Sequence, residues 1–124
     1  MATNVSVLVV DDSQTIRSII VKNLNNLGYT DIDVADDGEV ALARLAAKQY
    51  GLLISDWEMP QMGGEQLLKS VRQNPRYSKM PIIMITAMGG RGMSFLAGAN
   101  AYLSKPFTDA DFVKAVKSAL GPLA

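Results

Sequence analysis

Short apolar runs alternate along the chain with longer segments in which apolar residues recur at helical spacing. The runs are rich in β-branched residues, which is typical of strands covered on both faces of a sheet. The segments between them have the periodicity of amphipathic helices. This alternation predicts an α/β fold, with a doubly wound parallel sheet that carries helices on both faces. The predicted strands cover residues 5–10, 31–35, 52–55, 82–85 and 101–103.

Capping residues mark the ends of the predicted helices. Ser13 is a suitable N-cap for the first helix, and Gly28 is a suitable C′ residue at its end. Thr108 is expected to cap the last helix, with Asp111 at the capping-box position, and Gly121 ends that helix. Apolar residues at helical spacing mark the second and third helices, namely Val40, Ala41, Leu42, Leu45, Leu67, Leu68 and Val71. The buried stripe of the last helix is predicted to contain Phe112, Val113, Val116 and Leu120.

The segment between the fourth and fifth predicted strands fits the pattern less well. Residues 88–93 contain three glycines within four positions. Because each glycine costs a helix about 1 kcal/mol relative to alanine, we expect a mobile loop there. The helix that follows should be short or frayed and is predicted over residues 93–99.

Length and charge limit the kinds of protein that this chain can be. Its 124 residues predict a single domain over residues 1–124, with no output domain. Basic and acidic residues number 12 each, so the net charge is zero and no nucleic-acid binding is expected. No apolar run is long enough to span a bilayer, and no basic segment precedes the first apolar run. We therefore expect a cytoplasmic protein that does not insert into membranes.

The sequence contains no cysteine and no histidine. Disulfides, thiol chemistry, zinc sites of the usual kind and a histidine base are therefore excluded. Any metal must be a hard cation that is held by oxygen ligands.

The third predicted strand stops abruptly at an aspartate. Its apolar residues end at Ile54, Asp56 follows, and Pro60 cannot continue the strand because proline lacks the N–H group. The chain thus places a carboxylate at the carboxyl end of a strand, which is the edge where open α/β sheets bind ligands. Asp56 is predicted to be the central functional residue.

Other polar residues follow the remaining strands at the same edge. Asp11 and Asp12 follow the first strand, Thr86 follows the fourth, and Lys105 follows the fifth. Three converging carboxylates repel one another and favour a divalent cation, and oxygen ligands favour Mg²⁺. A hydroxyl and an ammonium group facing them would suit phosphoryl oxygens, and aspartate can accept a phosphoryl group. The pattern indicates a magnesium-dependent phosphoryl site.

Four segments in register resemble the response-regulator receiver domain family, in particular its single-domain chemotaxis regulators of the CheY type. The resemblance covers essentially the whole chain in order, so an accidental match of four segments is improbable. The four segments are residues 9–13 (VVDDS), 54–60 (ISDWEMP), 85–87 (ITA) and 102–107 (YLSKPF).

The resemblance implies a role for each acidic residue. Asp56 would accept a phosphoryl group from the phosphohistidine of a CheA-like sensor histidine kinase. Asp12, the Asp56 carboxylate and the backbone carbonyl of Glu58 would bind Mg²⁺, with Mn²⁺ as an alternative, and Asp11 would act largely through water. Glu58 stands at a position that the family varies, where a long carboxylate could reach the metal or its waters.

The resemblance also implies the switch. Lys105 would pair with the phosphoryl group, Thr86 would move to hydrogen bond it, and the rotamer of Tyr102 would follow Thr86. The Lys105–Pro106 peptide bond is cis in the family, and the five strands would lie in the order 2-1-3-4-5. The segment between Thr86 and Lys105 is about one turn shorter than the family pattern, which again predicts a short fourth helix.

The function implied is that of a binding module switched by phosphorylation, in chemotaxis or motility signalling. The target would be a protein such as the flagellar motor switch or another relay protein, and the chain is expected to be a monomer. A phosphate sink and a relay intermediate are alternatives within this class. The chain would not be an enzyme beyond catalysing its own phosphorylation and dephosphorylation.

Three other functions match parts of the pattern. An aspartate-nucleophile phosphatase would use Asp56 with Glu58 as its acid, but in that superfamily the nucleophile ends the first strand. A flavodoxin-like flavin binder would need a phosphate loop after the first strand, where Asp11 and Asp12 would repel the phosphate. A pseudo-receiver would bind partners without phosphorylation, which the complete acidic set disfavours.

Individual residues also have purely structural interpretations. Asp11 and Asp12 could cap the following helix, and Thr86 could hydrogen bond the backbone at the end of its strand. Lys105 could be a solvated loop lysine, and Tyr102 could be a core aromatic residue. Burial and hydrogen-bond partners distinguish these alternatives.

Overall fold

The predicted alternation of strands and helices is present in the computed structural model, which describes residues 5–59, 62–87 and 98–121. No helix within these ranges is long and apolar enough to cross a membrane. The strands are β1 (Val7–Val10), β2 (Ile32–Ala35), β3 (Leu52–Asp56), β4 (Ile82–Thr86) and β5 (Ala101–Ser104). The helices are α1 (Gln14–Asn26), α2 (Gly38–Ala47), α3 (Gly64–Gln73) and α4 (Asp109–Leu120).

The observed bounds of each strand differ from the predicted ones by one or two residues. The first strand begins at Val7, two residues later than predicted, and Asp56 and Thr86 are the last residues of their strands. The predicted glycine loop over residues 88–93, residues 93–97 of the predicted short helix, and Pro60 lie outside the described residues. The last two residues of that predicted helix, Gly98 and Ala99, are described and are not helical, and Gly98 has a φ of 107°.

All strand pairs of the sheet are parallel, and the strand order is β2-β1-β3-β4-β5. This confirms the fold class and the order that the resemblance implied. Since β1 and β3 occupy the middle of the sheet, residues at their carboxyl ends lie side by side at its centre. Open parallel sheets bind ligands at such a position, where the order of the strands reverses.

The apolar runs are explained by two core layers, one on each face of the sheet. Along β1, Val7 and Val9 belong to the layer beneath α1 and α4, whereas Leu8 and Val10 belong to the layer beneath α2 and α3. Side chains alternate between faces along a strand, so a strand covered on both sides must be apolar throughout. Fully burying each such side chain contributes about 1.5–3 kcal/mol to folding.

The predicted caps are also confirmed. The Ser13 hydroxyl accepts a hydrogen bond from the backbone N–H of Ile16 at 3.3 Å. Gly28 follows α1 with a φ of 96°, the left-handed conformation that glycine adopts without strain. Thr108 and Asp111 form a reciprocal capping box at the start of α4. These local signals fix where α1 and α4 begin, and therefore which residues precede them at the edge of the sheet.

Candidate functional site

The parallel register brings the polar ends of four strands to one edge of the sheet. Asp56 and Thr86 end neighbouring strands, and Asp11 and Lys105 follow β1 and β5 directly. Backbone hydrogen bonds extend this order beyond the strands, since the Lys105 N–H donates to the Thr86 carbonyl at 2.9 Å and the Asp11 N–H donates to the Ala35 carbonyl at 3.1 Å. The predicted convergence of these residues is therefore observed.

Three carboxylates and one ammonium group meet at this edge, and we call Asp11, Asp12, Asp56 and Lys105 the carboxyl-end cluster. One carboxylate oxygen from each aspartate lies within 4.8 Å of the others. Asp11 and Asp56 are buried, with 0% and 2% of their surface exposed, whereas Asp12 is exposed. Lys105 Nζ lies 3.2 Å from Asp56 Oδ1 and 3.5 Å from Asp11 Oδ2. The solvated-lysine interpretation of Lys105 is therefore wrong.

Asp11 is held in place by residues at the start of α1. The Ser13 backbone N–H donates to Asp11 Oδ1 at 2.8 Å. Arg17, which the sequence analysis did not single out, donates from its guanidinium group to the Asp11 carbonyl at 2.6 Å. The helix itself is capped by Ser13 and has no acidic residue in its first turn. Asp11 therefore belongs to the cluster, and Ser13 is the N-cap of the helix.

The electrostatics of the cluster are unfavourable when it contains only protein groups. Burial, and next the charge of Asp11, raise the pKa of Asp56 to about 6. Burial also raises the pKa of Asp11, although the Ser13 N–H and Lys105 partly offset this. Burial opposes the charge on Lys105, but Asp56 and Asp11 outweigh it and raise the pKa of the lysine. One cation thus faces three carboxylates, which a second cation would stabilise.

Two carboxylate oxygens in the cluster are buried without a hydrogen-bond partner among the described residues, Asp11 Oδ2 and Asp56 Oδ1. Each lies at ion-pair distance from Lys105 Nζ, but without hydrogen-bond geometry. Burying a charged oxygen without a hydrogen-bond partner lowers the stability of the folded protein. Because all the donors are hard oxygens, the arrangement fits Mg²⁺ or a similar ion. The cluster can therefore hold a metal, and the role of the Glu58 backbone carbonyl as a further ligand stays a prediction.

A close approach of α3 to the end of β3 shapes the loop beside Asp56. A Cβ atom on Gly64 would lie 2.6 Å from the Asp56 carbonyl oxygen and 2.7 Å from the Trp57 Cα. The Gly64 N–H donates to the Trp57 carbonyl at 3.0 Å. Only glycine fits here, so Gly64 is a site-shaping residue that the sequence analysis did not single out. The adjacent glycines Gly63 and Gly64 are the signal that could have identified it.

The predicted switch residues lie beside the cluster. Thr86 is fully buried, and its hydroxyl donates to Glu58 Oε1 at 3.1 Å. Tyr102 on β5 has 47% of its surface exposed, so the core-aromatic interpretation is wrong. β5 is an edge strand, and its alternate side chains point away from the core. The Lys105–Pro106 peptide bond is cis.

Comparison with known proteins agrees with this geometry. The family model of the response regulator receiver domain matches residues 7–117. The chain is 47% identical over 105 residues to the chemotaxis protein CheY1 of Helicobacter pylori. The aligned residues cover 82% of this chain and 85% of CheY1.

Solved structures show the same fold. The chemotaxis response regulator CheY4 of Vibrio cholerae superposes with a TM-score of 0.87 at 34% identity, covering 95% of this chain and 100% of CheY4. The response regulator TrrA of Thermotoga maritima, solved in complex with Mg²⁺ and beryllofluoride, has a TM-score of 0.83 at 32% identity, covering 97% and 100% of the two chains.

The fold, the acidic edge and the family model together define a class of protein. The chain belongs to the response-regulator receiver domain family. Its relatives place it among the CheY-like chemotaxis response regulators. Membership of this family sets aside the phosphatase and flavin-binding alternatives.

Proposed function

We propose that this protein is a phosphorylation-switched regulator in chemotaxis signalling, with Asp56 as the phosphoacceptor. The observation that carries the proposal is the carboxyl-end cluster, where three carboxylates meet within 4.8 Å beside Lys105. This arrangement is costly to fold, because two of its carboxylates are buried. A site that binds a cation and a phosphoryl group accounts for that cost.

The proposed reaction is a phosphoryl transfer from a phosphohistidine of a sensor histidine kinase. A carboxylate oxygen of Asp56 attacks the phosphorus atom, and an acyl-phosphate bond forms as the bond between phosphorus and the histidine nitrogen breaks. The leaving imidazole nitrogen keeps the electron pair. Because the attacking group must be ionised, a pKa of about 6 for Asp56 leaves most of it competent at neutral pH.

In this proposal Lys105 stabilises the transferred group. Its ammonium nitrogen is 3.2 Å from the oxygen of Asp56 that lacks a hydrogen-bond partner in the described part of the chain. A phosphoryl group brings about two negative charges and three acceptor oxygens, which an ammonium group can bind directly. Mg²⁺, held by Asp12 and Asp56 with Asp11 behind them, would neutralise the charge that develops on those oxygens.

The surface most suited to carry the signal borders Lys105 through β5. A groove of about 500 Å³ lies between β5 and α4, and its lining includes Tyr102, Pro106 and Lys114. Because Lys105 follows β5 directly and pairs with Asp56, a shift of the lysine towards a phosphoryl group would move this surface. Phosphorylation would then change its affinity for a downstream chemotaxis protein by a population shift. The protein would act on no substrate other than its own phosphoryl group.

Intact-mass spectrometry tests the proposal. The protein is incubated with Mg²⁺ and acetyl phosphate, and Asp56→Asn and Asp33→Asn are treated in parallel. We expect the mass of one phosphoryl group to be added to the wild type and to Asp33→Asn, and not to Asp56→Asn or to a sample with chelator. No addition to the wild type, or the same addition to Asp56→Asn, would contradict the proposed function.

A further inference from the structure

The hydroxyl of Thr86 has a charged hydrogen-bond acceptor before any phosphoryl group arrives. Thr86 is the last residue of β4 and is fully buried. Its Oγ1 donates to Glu58 Oε1 at 3.1 Å, across 28 positions of sequence. A threonine hydroxyl has a single proton to donate. In this structure the hydroxyl directs that proton to Glu58 Oε1.

Glu58 reaches Thr86 from the loop that follows Asp56. It lies two residues beyond the end of β3 and is exposed, so its carboxylate can move into solvent if the contact breaks. Burial and the charge of Asp11 are the larger causes of the raised pKa of Asp56, and the charge of Glu58 adds a smaller contribution in the same direction. Glu58 therefore acts on two of the residues that a phosphoryl group would contact, Thr86 and Asp56.

We infer that Glu58 is a positioning residue that holds the Thr86 hydroxyl and competes for it with the phosphoryl group on Asp56. The inference rests on the proposed function and concerns the regulation of the same site. If Thr86 is to hydrogen bond a phosphoryl oxygen, its bond to Glu58 must break first. The free energy needed to break that bond makes binding of the phosphoryl group less favourable. Glu58 therefore sets how readily the state forms in which Thr86 hydrogen bonds the phosphoryl group.

Binding of beryllofluoride, which mimics a phosphoryl group on aspartate, tests the inference without phosphate turnover. Its affinity for the magnesium-saturated protein is measured by isothermal titration calorimetry. Glu58→Ala removes the acceptor and the charge, Glu58→Gln keeps an acceptor but removes the charge, and Glu65→Ala controls for the loss of an exposed carboxylate. We expect Glu58→Ala to bind on the order of tenfold more tightly than the wild type. Glu58→Gln should gain less, and Glu65→Ala should not change.

A second background separates the hydrogen bond from the charge. In Thr86→Ala the hydroxyl is absent, so adding Glu58→Ala should tighten binding much less than it does in the wild type. An equal gain in both backgrounds would show that Glu58 acts through its charge alone, and this would overturn the inference. Weaker binding by Glu58→Ala would overturn it as well.

A measurement on the metal-free protein keeps the inference separate from the proposed function. The NMR signal of the Thr86 methyl group should move in Glu58→Ala and stay close to its wild-type position in Glu65→Ala. An unchanged Thr86 signal in Glu58→Ala would overturn the inference, whatever the binding results. Failure of the wild type to bind beryllofluoride with Mg²⁺ would instead contradict the proposed function.

Discussion

Two acidic clusters lie at opposite ends of the strands and differ in how their charges are satisfied. In the amino-end cluster, which consists of Asp31, Asp33, Lys48 and Tyr50, Lys48 Nζ lies 2.7 Å from Asp31 and 3.1 Å from Asp33. The Tyr50 hydroxyl donates to Asp33 at 2.6 Å. Hydrogen bonds, chiefly from Lys48 to Asp31 and from Tyr50 to Asp33, lower the pKa of both carboxyl groups.

The carboxyl-end cluster has similar residue types and the opposite electrostatics. Burial raises the pKa of both Asp11 and Asp56, and each has an oxygen without a hydrogen-bond partner within the described ranges. The difference lies in burial and in the number of donors, not in composition. Carboxylates that are exposed and hydrogen bonded stabilise the fold, whereas carboxylates that are buried without enough donors can bind an added cation. The comparison therefore identifies which cluster is structural and which is functional.

The largest effect should come from removing the buried charge. Asp56→Asn is expected to raise the free energy of unfolding of the metal-free protein near neutral pH by about 2 kcal/mol. The reason is that burial raises the pKa of Asp56 to about 6, so its ionised form is less stable in the folded protein than in the unfolded chain. Urea unfolding in the presence of a chelator measures this. A lower free energy of unfolding for Asp56→Asn would show that the carboxylate is not a source of instability.

The pH dependence of stability should separate the two clusters. Between about pH 4 and pH 6 the folded protein keeps a proton on Asp56 that the unfolded chain releases, so stability should fall as the pH rises through this window. Asp11 acts in the same direction. The amino-end carboxylates have lowered pKa values, so their contribution is present above about pH 4 and is lost as the pH falls further.

Unfolding midpoints of the metal-free protein across this pH range test the separation. Asp56→Asn should reduce the loss of folding stability between about pH 4 and pH 6 and leave the stability change below about pH 4 as in the wild type. Asp33→Asn should reduce the loss of stability below about pH 4 and leave the change between about pH 4 and pH 6 as in the wild type. A wild-type stability that rises between about pH 4 and pH 6 would contradict the assignment of raised pKa values to the carboxyl-end cluster.

The smallest effect is expected from the amino-end cluster. Asp33→Asn should lower the free energy of unfolding by less than about 1 kcal/mol, because an ion pair that is a third or more exposed to solvent is screened. Urea unfolding at low and at high salt measures it, and the loss should shrink as the salt concentration rises. An increase in stability would mean that the hydrogen bond from Tyr50 and the ion pair with Lys48 do not stabilise the fold.

Much of the fold could be predicted from the sequence, because its signals are local. Apolar runs predicted all five strands of the sheet, and the capping residues Ser13 and Thr108 predicted the starts of the first and last helices. The predicted parallel topology also indicated that Asp11, Asp56 and Lys105 lie close together, because the carboxyl ends of parallel strands meet at one edge of the sheet.

The contacts that tune the site could not be predicted in the same way. The Thr86–Glu58 hydrogen bond joins residues 28 positions apart, and no local pattern indicates it. The sequence also does not indicate that the Arg17 guanidinium group donates to the Asp11 carbonyl. An arginine in the first turns of a helix ordinarily faces solvent. Tyr102 alternates with buried residues on β5, but its exposure depends on that strand lying at the edge of the sheet.

The sequence by itself determined the alternation of strands and helices, the acidic residues at the strand ends and the resemblance to the receiver family. These properties depend on side-chain periodicity, on capping and on residue identity, which are all local features of the sequence. Only the tertiary structure decided that Asp11 and Asp56 are buried, that Lys105 faces both, and that the similar charges around Lys48 are satisfied in solvent. The physical reason is that the energy of a charge depends on its distance from water and from other charges, which only the folded chain sets.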